Sequence, residues 1–243
     1  HRPELSGKIT FDKVAFEYPQ TDRKVLHDIS FKIAAGEKVG LIGRIGSGKS
    51  TVARLVMDLY DPTEGTILFD DTDERQIDPA DLRRNVGYIS QDIVLFSGTV
   101  RENIVAGHPR ATEEEVLEVA QKAGVHEFIS KHPLGYDAPI GERGEGLSGG
   151  QRQAIALARA MLIKPSIYVC DEPTNSMDVQ AENAFQQHMA NEAKDKTLIL
   201  ITHRQPLLAM VDRLIILEQG HVIADGQRDE VLKALAEGKL GVK

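Results

Sequence analysis

The run Gly43-Arg44-Ile45-Gly46-Ser47-Gly48-Lys49-Ser50-Thr51 has the spacing G-x-x-x-x-G-K-[ST] that cradles phosphate groups. Gly43, Gly46 and Gly48 carry no Cβ, so the backbone can turn through positive φ and aim its N–H groups at phosphate oxygens. Lys49 would reach the β and γ phosphates, an attraction of about 4 kcal/mol at about 4 Å and an effective dielectric of about 20. The Ser50 hydroxyl would sit on Mg²⁺, and Thr51 continues a helix whose unpaired N–H groups favour the same anion. Asp171-Glu172 is the second place able to do chemistry. Asp171 closes an apolar run and offers the hard oxygen ligand that a phosphate-bound Mg²⁺ requires. Glu172 points elsewhere, toward the position an attacking water would take, where a carboxylate can act as general base. The third is Leu147-Ser148-Gly149-Gly150-Gln151, another glycine turn ahead of a helix, with a serine at the capping position. One nucleotide has no evident need of two anion-binding turns. The second makes sense if it closes over a nucleotide held by another copy of the domain.

Strand ends must hold these groups. Lys38-Val39-Gly40-Leu41-Ile42 precedes the first turn, Val86–Ile89 precedes Gln91, residues 166–170 precede Asp171, and residues 197–202 precede His203. The continuous apolar character of the last two is that of strands covered on both faces in a parallel sheet, and in open α/β sheets ligands bind beyond the carboxyl ends of the strands. Upstream, Ile9, Phe11, Val14, Phe16 and Tyr18, then Val25, Ile29, Phe31 and Ile33, mostly alternate with polar residues and predict antiparallel β structure, which residues 65–69 continue. Helices are predicted over residues 51–59, after Thr112 with its Glu115 capping partner, over 151–162 and over 180–193. The apolar face is Val116, Leu117, Ala120 and Ala123 in the second of these, and Ala181, Ala184, Phe185, His188 and Met189 in the last. Arg213–Glu218 and residues 221–226 read as a hairpin about Gln219-Gly220. The fold class is therefore α/β, a mostly parallel core with an N-terminal antiparallel β subdomain and an inserted α-helical subdomain.

The bulk properties narrow the function. A chain of 243 residues with net charge −8 and pI near 5.5 lacks the basic domain typical of nucleic-acid binding, so no nucleic-acid partner is expected. No apolar run approaches the roughly 18 residues of a membrane span and no signal peptide is present, so this piece is expected to be soluble. The single cysteine, Cys170, reads as a small buried hydrophobe in a strand, in keeping with a reducing compartment. The start at His1, without Met and running into Arg2-Pro3-Glu4-Leu5, reads as a segment cut from a longer chain.

With Leu147 to Gln151 matching the Leu-Ser-Gly-Gly-Gln signature, the sequence resembles the ATP-binding-cassette (ABC) ATPases over nearly its whole length. The resemblance implies a P-loop NTPase core at residues 8–243, a helical subdomain at about 92–164, and residues 1–7 as a linker from an upstream membrane domain. It implies ATP and Mg²⁺ as cofactors. By the same resemblance Tyr18 stacks on adenine, residues 43, 44 and 46–51 bind ATP, and Ser50, Gln91 and Asp171 meet the metal. Lys49, Glu172 and His203 are then the catalytic group, with Glu172 as base and His203 as the switch histidine on the γ-phosphate. Ser148, Gly149, Gly150 and Gln151 contact the opposite subunit's ATP, and Asp178 belongs to a loop that touches that subunit. The implied assembly is a head-to-tail dimer with two nucleotides, closed by ATP and reopened by hydrolysis.

Residues 97–104 and Ile140-Gly141-Glu142-Arg143-Gly144 resemble exporter segments, the latter a loop that touches transmembrane helices. Among exporters the stretch is most similar to bacterial type I secretion ATPases, which move RTX toxins or adhesins. Asn175-Ser176-Met177-Asp178 departs from the commoner Ser-Ala-Leu-Asp and is associated with the adhesin-exporting branch. That resemblance implies a transmembrane domain on the same chain, membrane-fusion and outer-membrane partners, and a position on the cytoplasmic face of a bacterial inner membrane. The alternatives are an exporter ATPase for lipid, peptide or drug, and a soluble ABC ATPase acting on DNA or ribosomes. A small-molecule kinase would leave Leu147 to Gln151 unexplained.

Overall fold

The computed structural model describes residues 4–19, 21, 23–175 and 177–239. Residues 1–3 of the expected linker and Ser176 of the substituted loop lie outside these. In chain order come β1 (Ile9–Glu17), β2 (Lys24–Ile33), β3 (Lys38–Gly43), α1 (Lys49–Val56), β4 (Glu64–Phe69), β5 (Thr72–Asp73), α2 (Pro79–Arg84) and β6 (Val86–Ile89). A mainly helical stretch follows: β7 (Gly98–Thr99), α3 (Val100–Val105), α4 (Glu113–Lys122), α5 (Val125–Ile129), β8 (Pro139–Ile140) and α6 (Gly149–Leu162). The last part runs β9 (Ile167–Asp171), α7 (Val179–Glu192), β10 (Thr197–Ile201), α8 (Gln205–Leu208), β11 (Arg213–Glu218), β12 (His221–Gln227) and α9 (Arg228–Ala236).

β2, β1, β4 and β5 form an antiparallel sheet in that order. The larger sheet has the order β12-β11-β3-β10-β9-β6, parallel throughout except for the β11–β12 hairpin. Alternate side chains of its strands feed two cores. Ile167 and Val169 of β9 join Leu41, Ile199 and Ile201, then Phe11, Phe16 and Phe69 of the antiparallel sheet and Val52 and Leu55 of α1. Tyr168 and Cys170 join Leu198 and Leu200, then Val116 of α4 and Ile155, Leu157 and Met161 of α6. Burial on both faces is why these strands read as unbroken apolar runs, each full burial of such a side chain being worth roughly 1.5–3 kcal/mol. The broken alternation in β1 also has a cause: Lys13 has φ 51° and the register shifts between Phe11 and Val14, so an extra residue lets both stay buried.

Three helices differ from the periodicity reading. α1 ends at Val56, before Leu59, because Asp58 turns into the left-handed region at φ 51°. The buried face of α4 uses Val119 where the pattern had Leu117, which is 39% exposed. In α7, Ala184 is exposed while Glu182 is buried beside Phe185 and Met189. The part of the expected linker that is described packs onto the domain. Leu5 is buried with its N–H donating to Asn85 Oδ1 (3.3 Å), and the Gly7 carbonyl accepts from Thr197 Oγ1 (2.7 Å). Cys170 is wholly buried, and desolvation with neighbouring Asp171 pushes its thiol up, so it is a packing residue rather than a nucleophile. Among the described residues no helix is long and apolar enough to cross a membrane.

Glu74, just after β5, is the least comfortable group in the fold. It is 3% exposed, neither carboxyl oxygen has a hydrogen-bond partner, and burial followed by Asp58, Asp61 and Asp73 pushes it up to about 8, against a smaller pull from Arg75. The folded chain therefore holds this proton more tightly than the unfolded one. Its contribution to stability is complete below the ordinary value of 4.5 and is lost as pH rises through about 8. We expect Glu74→Gln to unfold like the parent at pH 4 and at a temperature several degrees higher at pH 9, as read by thermal denaturation across pH.

Candidate nucleotide site

Parallel pairing brings the predicted chemistry to one sheet edge. β3, β10, β9 and β6 are successive neighbours, with Leu41, Ile201 and Asp171 sharing a rung, so the segments carrying the glycine turn, His203, Glu172 and Gln91 leave side by side. They open into a cleft of about 760 Å³ lined by Tyr18, Gly46, Gly48, Lys49, Ser50, Thr51, Gln91, Asp171, Glu172 and His203, among others.

The turn is built to receive an anion. Gly48 has φ 104°, and a Cβ there would stand 2.5 Å from Leu26 Cδ2; Gly46 has φ 81° with open space around it. No side chain caps α1 at Gly48, so the N–H groups of its first turn are left for a ligand. Ser47 is 3% exposed and its Oγ has no partner. Lys49 folds back over the turn, donating to the carbonyls of Gly43 (2.8 Å) and Arg44 (2.9 Å). Burial lowers its ammonium pKa while Glu172 and Asp171 oppose that shift. A phosphate would therefore replace two carbonyl acceptors with full negative charge.

The acidic wall faces the turn. Burial raises the Asp171 carboxyl, countered by hydrogen bonds from the Ser50 and Tyr88 hydroxyls and by the charges of Lys49 and Arg54. Tyr88 itself is pushed up to about 12, by burial first and then by Asp171, so its O–H stays protonated. The Ser50–Asp171 pair, with Gln91 at the rim, fits a Mg²⁺ whose remaining ligands come from phosphate. Among the described residues no group of three or more His, Cys, Asp or Glu side chains could hold a metal by itself. Glu172 sits at φ 46° with its N–H bonded to the Ile201 carbonyl (2.8 Å). Its buried Oε1 lies 3.1 Å from His203 Nε2, yet the alignment makes no hydrogen bond, leaving an acceptor without a donor. That is the state in which a carboxylate can take a proton from a bound water. His203 is 52% exposed in its side chain, free to turn toward a ligand.

Tyr18 lies at the cleft wall just past β1. Its hydroxyl is 3.0 Å from Thr51 Oγ1 and accepts from Arg54 Nη1 (2.8 Å), and its ring meets Phe16 and Tyr60 edge-on. Several lining or supporting residues, Arg54 among them, escaped the sequence reading. Tyr88 occupies an apolar strand position and reads as core; His27 and His221 stack at 4.8 Å across the β2–β12 contact, which periodicity cannot reveal.

The second glycine turn is elsewhere. Ser148, Gly150, Gln151 and Asp178 line a separate cleft of about 310 Å³ that shares no lining residue with the first. Ser148 Oγ accepts the Gln151 N–H (3.1 Å) and Gln151 Oε1 accepts the Ser148 N–H (2.9 Å), so the pair caps α6, which opens at Gly149. Asp178 caps α7 by accepting the Ala181 N–H at 2.8 Å.

Residues 26–175 match the family model described as ABC transporter. The chain belongs to the ABC transporter ATP-binding domains. It is 42% identical over 229 residues to YgaD of Bacillus subtilis (strain 168), an ATP-binding/permease protein whose name proposes multidrug export, covering 94% of this chain and 40% of that one. It is 40% identical over 231 residues to the leukotoxin export ATP-binding protein LtxB of Aggregatibacter actinomycetemcomitans, covering 95% of this chain and 33% of that one. A solved bacterial Atm1-family ABC exporter with ATP bound aligns with TM-score 0.88 and 39% identity over 93% of this chain and 40% of that chain. The ABC domain thus spans two fifths or less of these relatives, and as a member of its family it is an ATP-hydrolysing enzyme. With Mg²⁺ held at Asp171, and the Tyr88 hydroxyl among the groups that lower that carboxyl, Tyr88→Phe would raise the Mg²⁺ concentration for half-maximal ATP hydrolysis about tenfold. Titrating Mg²⁺ at saturating ATP measures it.

Proposed function

We propose that this ABC domain is the motor of a type I secretion exporter, working as a head-to-tail pair on the cytoplasmic face of a bacterial inner membrane. The observation that carries the pairing is the separation of the two clefts. The signature turn and Asp178 stand together, apart from the phosphate turn, and a second copy related by a two-fold axis would offer its signature to the nucleotide of the first. Each nucleotide then lies between Gly43–Thr51 of one copy and Ser148–Gln151 of the other, and the loop at Asp178 crosses the seam.

Within one half-site, Tyr18 stacks on the adenine, the N–H groups from Gly46 to Thr51 hold the β and γ phosphates, and Lys49 leaves its two carbonyls to offset charge on the γ-phosphate. Ser50, Asp171 and Gln91 would hold Mg²⁺, which would supply further positive charge to the phosphates. Glu172 Oε1 accepts a proton from the attacking water, which lies in line with the bond to the leaving phosphate. His203 turns from Glu172 to the γ-phosphate and holds that geometry. Loss of the γ-phosphate removes the contacts bridging the copies, so the pair reopens and moves an attached transmembrane domain. Membrane-fusion and outer-membrane proteins would complete the conduit.

Type I secretion rests on the exporter-like segments in the sequence and on the likeness to LtxB, whose name states leukotoxin export. Likeness to YgaD favours a second reading, export of drugs, lipids or peptides. Exchanging this ABC domain for the matching segment of a leukotoxin exporter separates them: secreted toxin supports type I secretion, and ATP hydrolysis without secretion favours the other reading. Two site predictions follow from the half-site. Glu172→Gln should bind ATP but lose at least about a hundredfold in turnover and elute as an ATP-dependent dimer on gel filtration. His203→Ala should lose most turnover while melting within a degree or two of the parent; near-normal phosphate release would reduce His203 to a structural role.

A further inference from the structure

α7 carries a buried carboxylate that the half-site does not use. Glu182, one turn inside the helix, is 4% exposed, a position where a charge is kept out of water at a cost unless it is paired. Its Oε2 accepts two hydrogen bonds at once, from Thr174 Oγ1 at 2.8 Å and from Arg204 Nη1 at 2.5 Å. Thr174 is 1% exposed and lies two residues after Glu172; Arg204 directly follows His203. One oxygen therefore joins the segment leaving β9 to the segment leaving β10 just past their catalytic residues. Other bonds keep each segment short of slack. The Glu172 N–H is tied to the Ile201 carbonyl (2.8 Å), the Arg204 N–H to Thr202 Oγ1 (3.0 Å), and Gln186 of α7 donates to the Pro206 carbonyl (3.2 Å).

We propose that Glu182 is a positioning residue which, through Thr174 and Arg204, sets where His203 stands relative to Glu172. Glu172 sits at φ 46°, a backbone conformation that a glutamate holds only when its surroundings impose it, and the clasp at Glu182 is one of the constraints that do so. α7 is capped by Asp178 at the second cleft and packs so closely on the signature that a Cβ at Gly150 would stand 2.8 Å from Ala181 Cβ, so the same helix meets the signature region in its first turn and the switch segment at Glu182. A shift of α7 when a second copy docks at Asp178 would thus be felt at His203.

The inference rests on the roles proposed for Glu172 and His203, and a double-mutant cycle in ATP turnover tests the two separately. Glu182→Gln is expected to lower kcat about tenfold or more with the KM for ATP within about twofold, because the nucleotide cleft is untouched. In a His203→Ala background the same substitution should change the remaining turnover by less than about twofold, since what it positions is gone. Arg204→Lys, which keeps the charge but loses the planar fork, should recover part of the kcat lost in Arg204→Ala. If Glu182→Gln does not fold, Thr174→Val keeps the carboxylate and arginine together and should show the same pattern at a smaller size. The proposal is overturned if Glu182→Gln turns over like the parent, if its loss is the same factor with and without His203, or if KM rises as far as kcat falls. Near-normal turnover in His203→Ala alone would instead overturn the role given to that histidine.

Discussion

The parallel ladder β3-β10-β9-β6 is the constraint on which the rest depends. Its hydrogen bonds fix the register of four strands: β6, β9 and β10 end one or two residues before Gln91, Glu172 and His203, and β3 runs straight into the phosphate turn. Because the neighbours run in one direction, their carboxyl ends must meet at one edge. Two cores clamp the ladder, one beneath the antiparallel sheet and α1, the other beneath α4, α6 and α7. A slip of one residue in β9 would exchange Cys170 with Asp171 and put a carboxylate into the helical core. The precision of the cleft is a by-product of strands that cannot slide without exposing apolar faces.

The electrostatics of the cleft follow from that placement. A cation and two carboxylates are held partly out of water within reach of one another, and burial works against the charge on both Lys49 and Asp171. Each is tempered by the other and by hydroxyls or carbonyls, so the site is balanced before a ligand arrives. A triphosphate with Mg²⁺ would give Lys49 and Asp171 stronger partners than the carbonyls and hydroxyls they have, while Ser47 Oγ and Glu172 Oε1 have none to give up. Binding is therefore an exchange of weak partners for charged ones in a low-dielectric cleft.

Residues whose role depends on their own type and spacing were legible in the chain: the glycine turn, the Asp-Glu pair at a strand end, the capped signature turn and the strands buried on both faces. Positions set by a partner distant in sequence were not. Tyr88 counts as core until Asp171 is placed beside it, and His27 meets His221 only through the packing of β2 on β12. Glu182 and Glu74 were invisible for a sharper reason, since a glutamate in a helical or turn segment reads as solvated and only tertiary contact shows otherwise. The helix-face errors at Leu117 and Ala184 have the same origin: apolar residues flanking a stripe are assigned inward by periodicity, yet each helix buries only what its neighbour leaves room for.

A single ABC domain holds two half-complementary surfaces, and the account requires them to be joined between copies. Mixing two inactive variants tests this directly: one copy with Lys49→Ala, which disables the phosphate turn, and one with Ser148→Arg, which blocks the signature turn. In a head-to-tail pair made of one of each, both lesions fall in the same nucleotide site and the other site is whole. The account predicts that the mixture recovers turnover, up to roughly a quarter of the parent if copies pair at random and one whole site suffices. A mixture as inactive as either variant alone, under conditions where mixed pairs are shown to form, would contradict it.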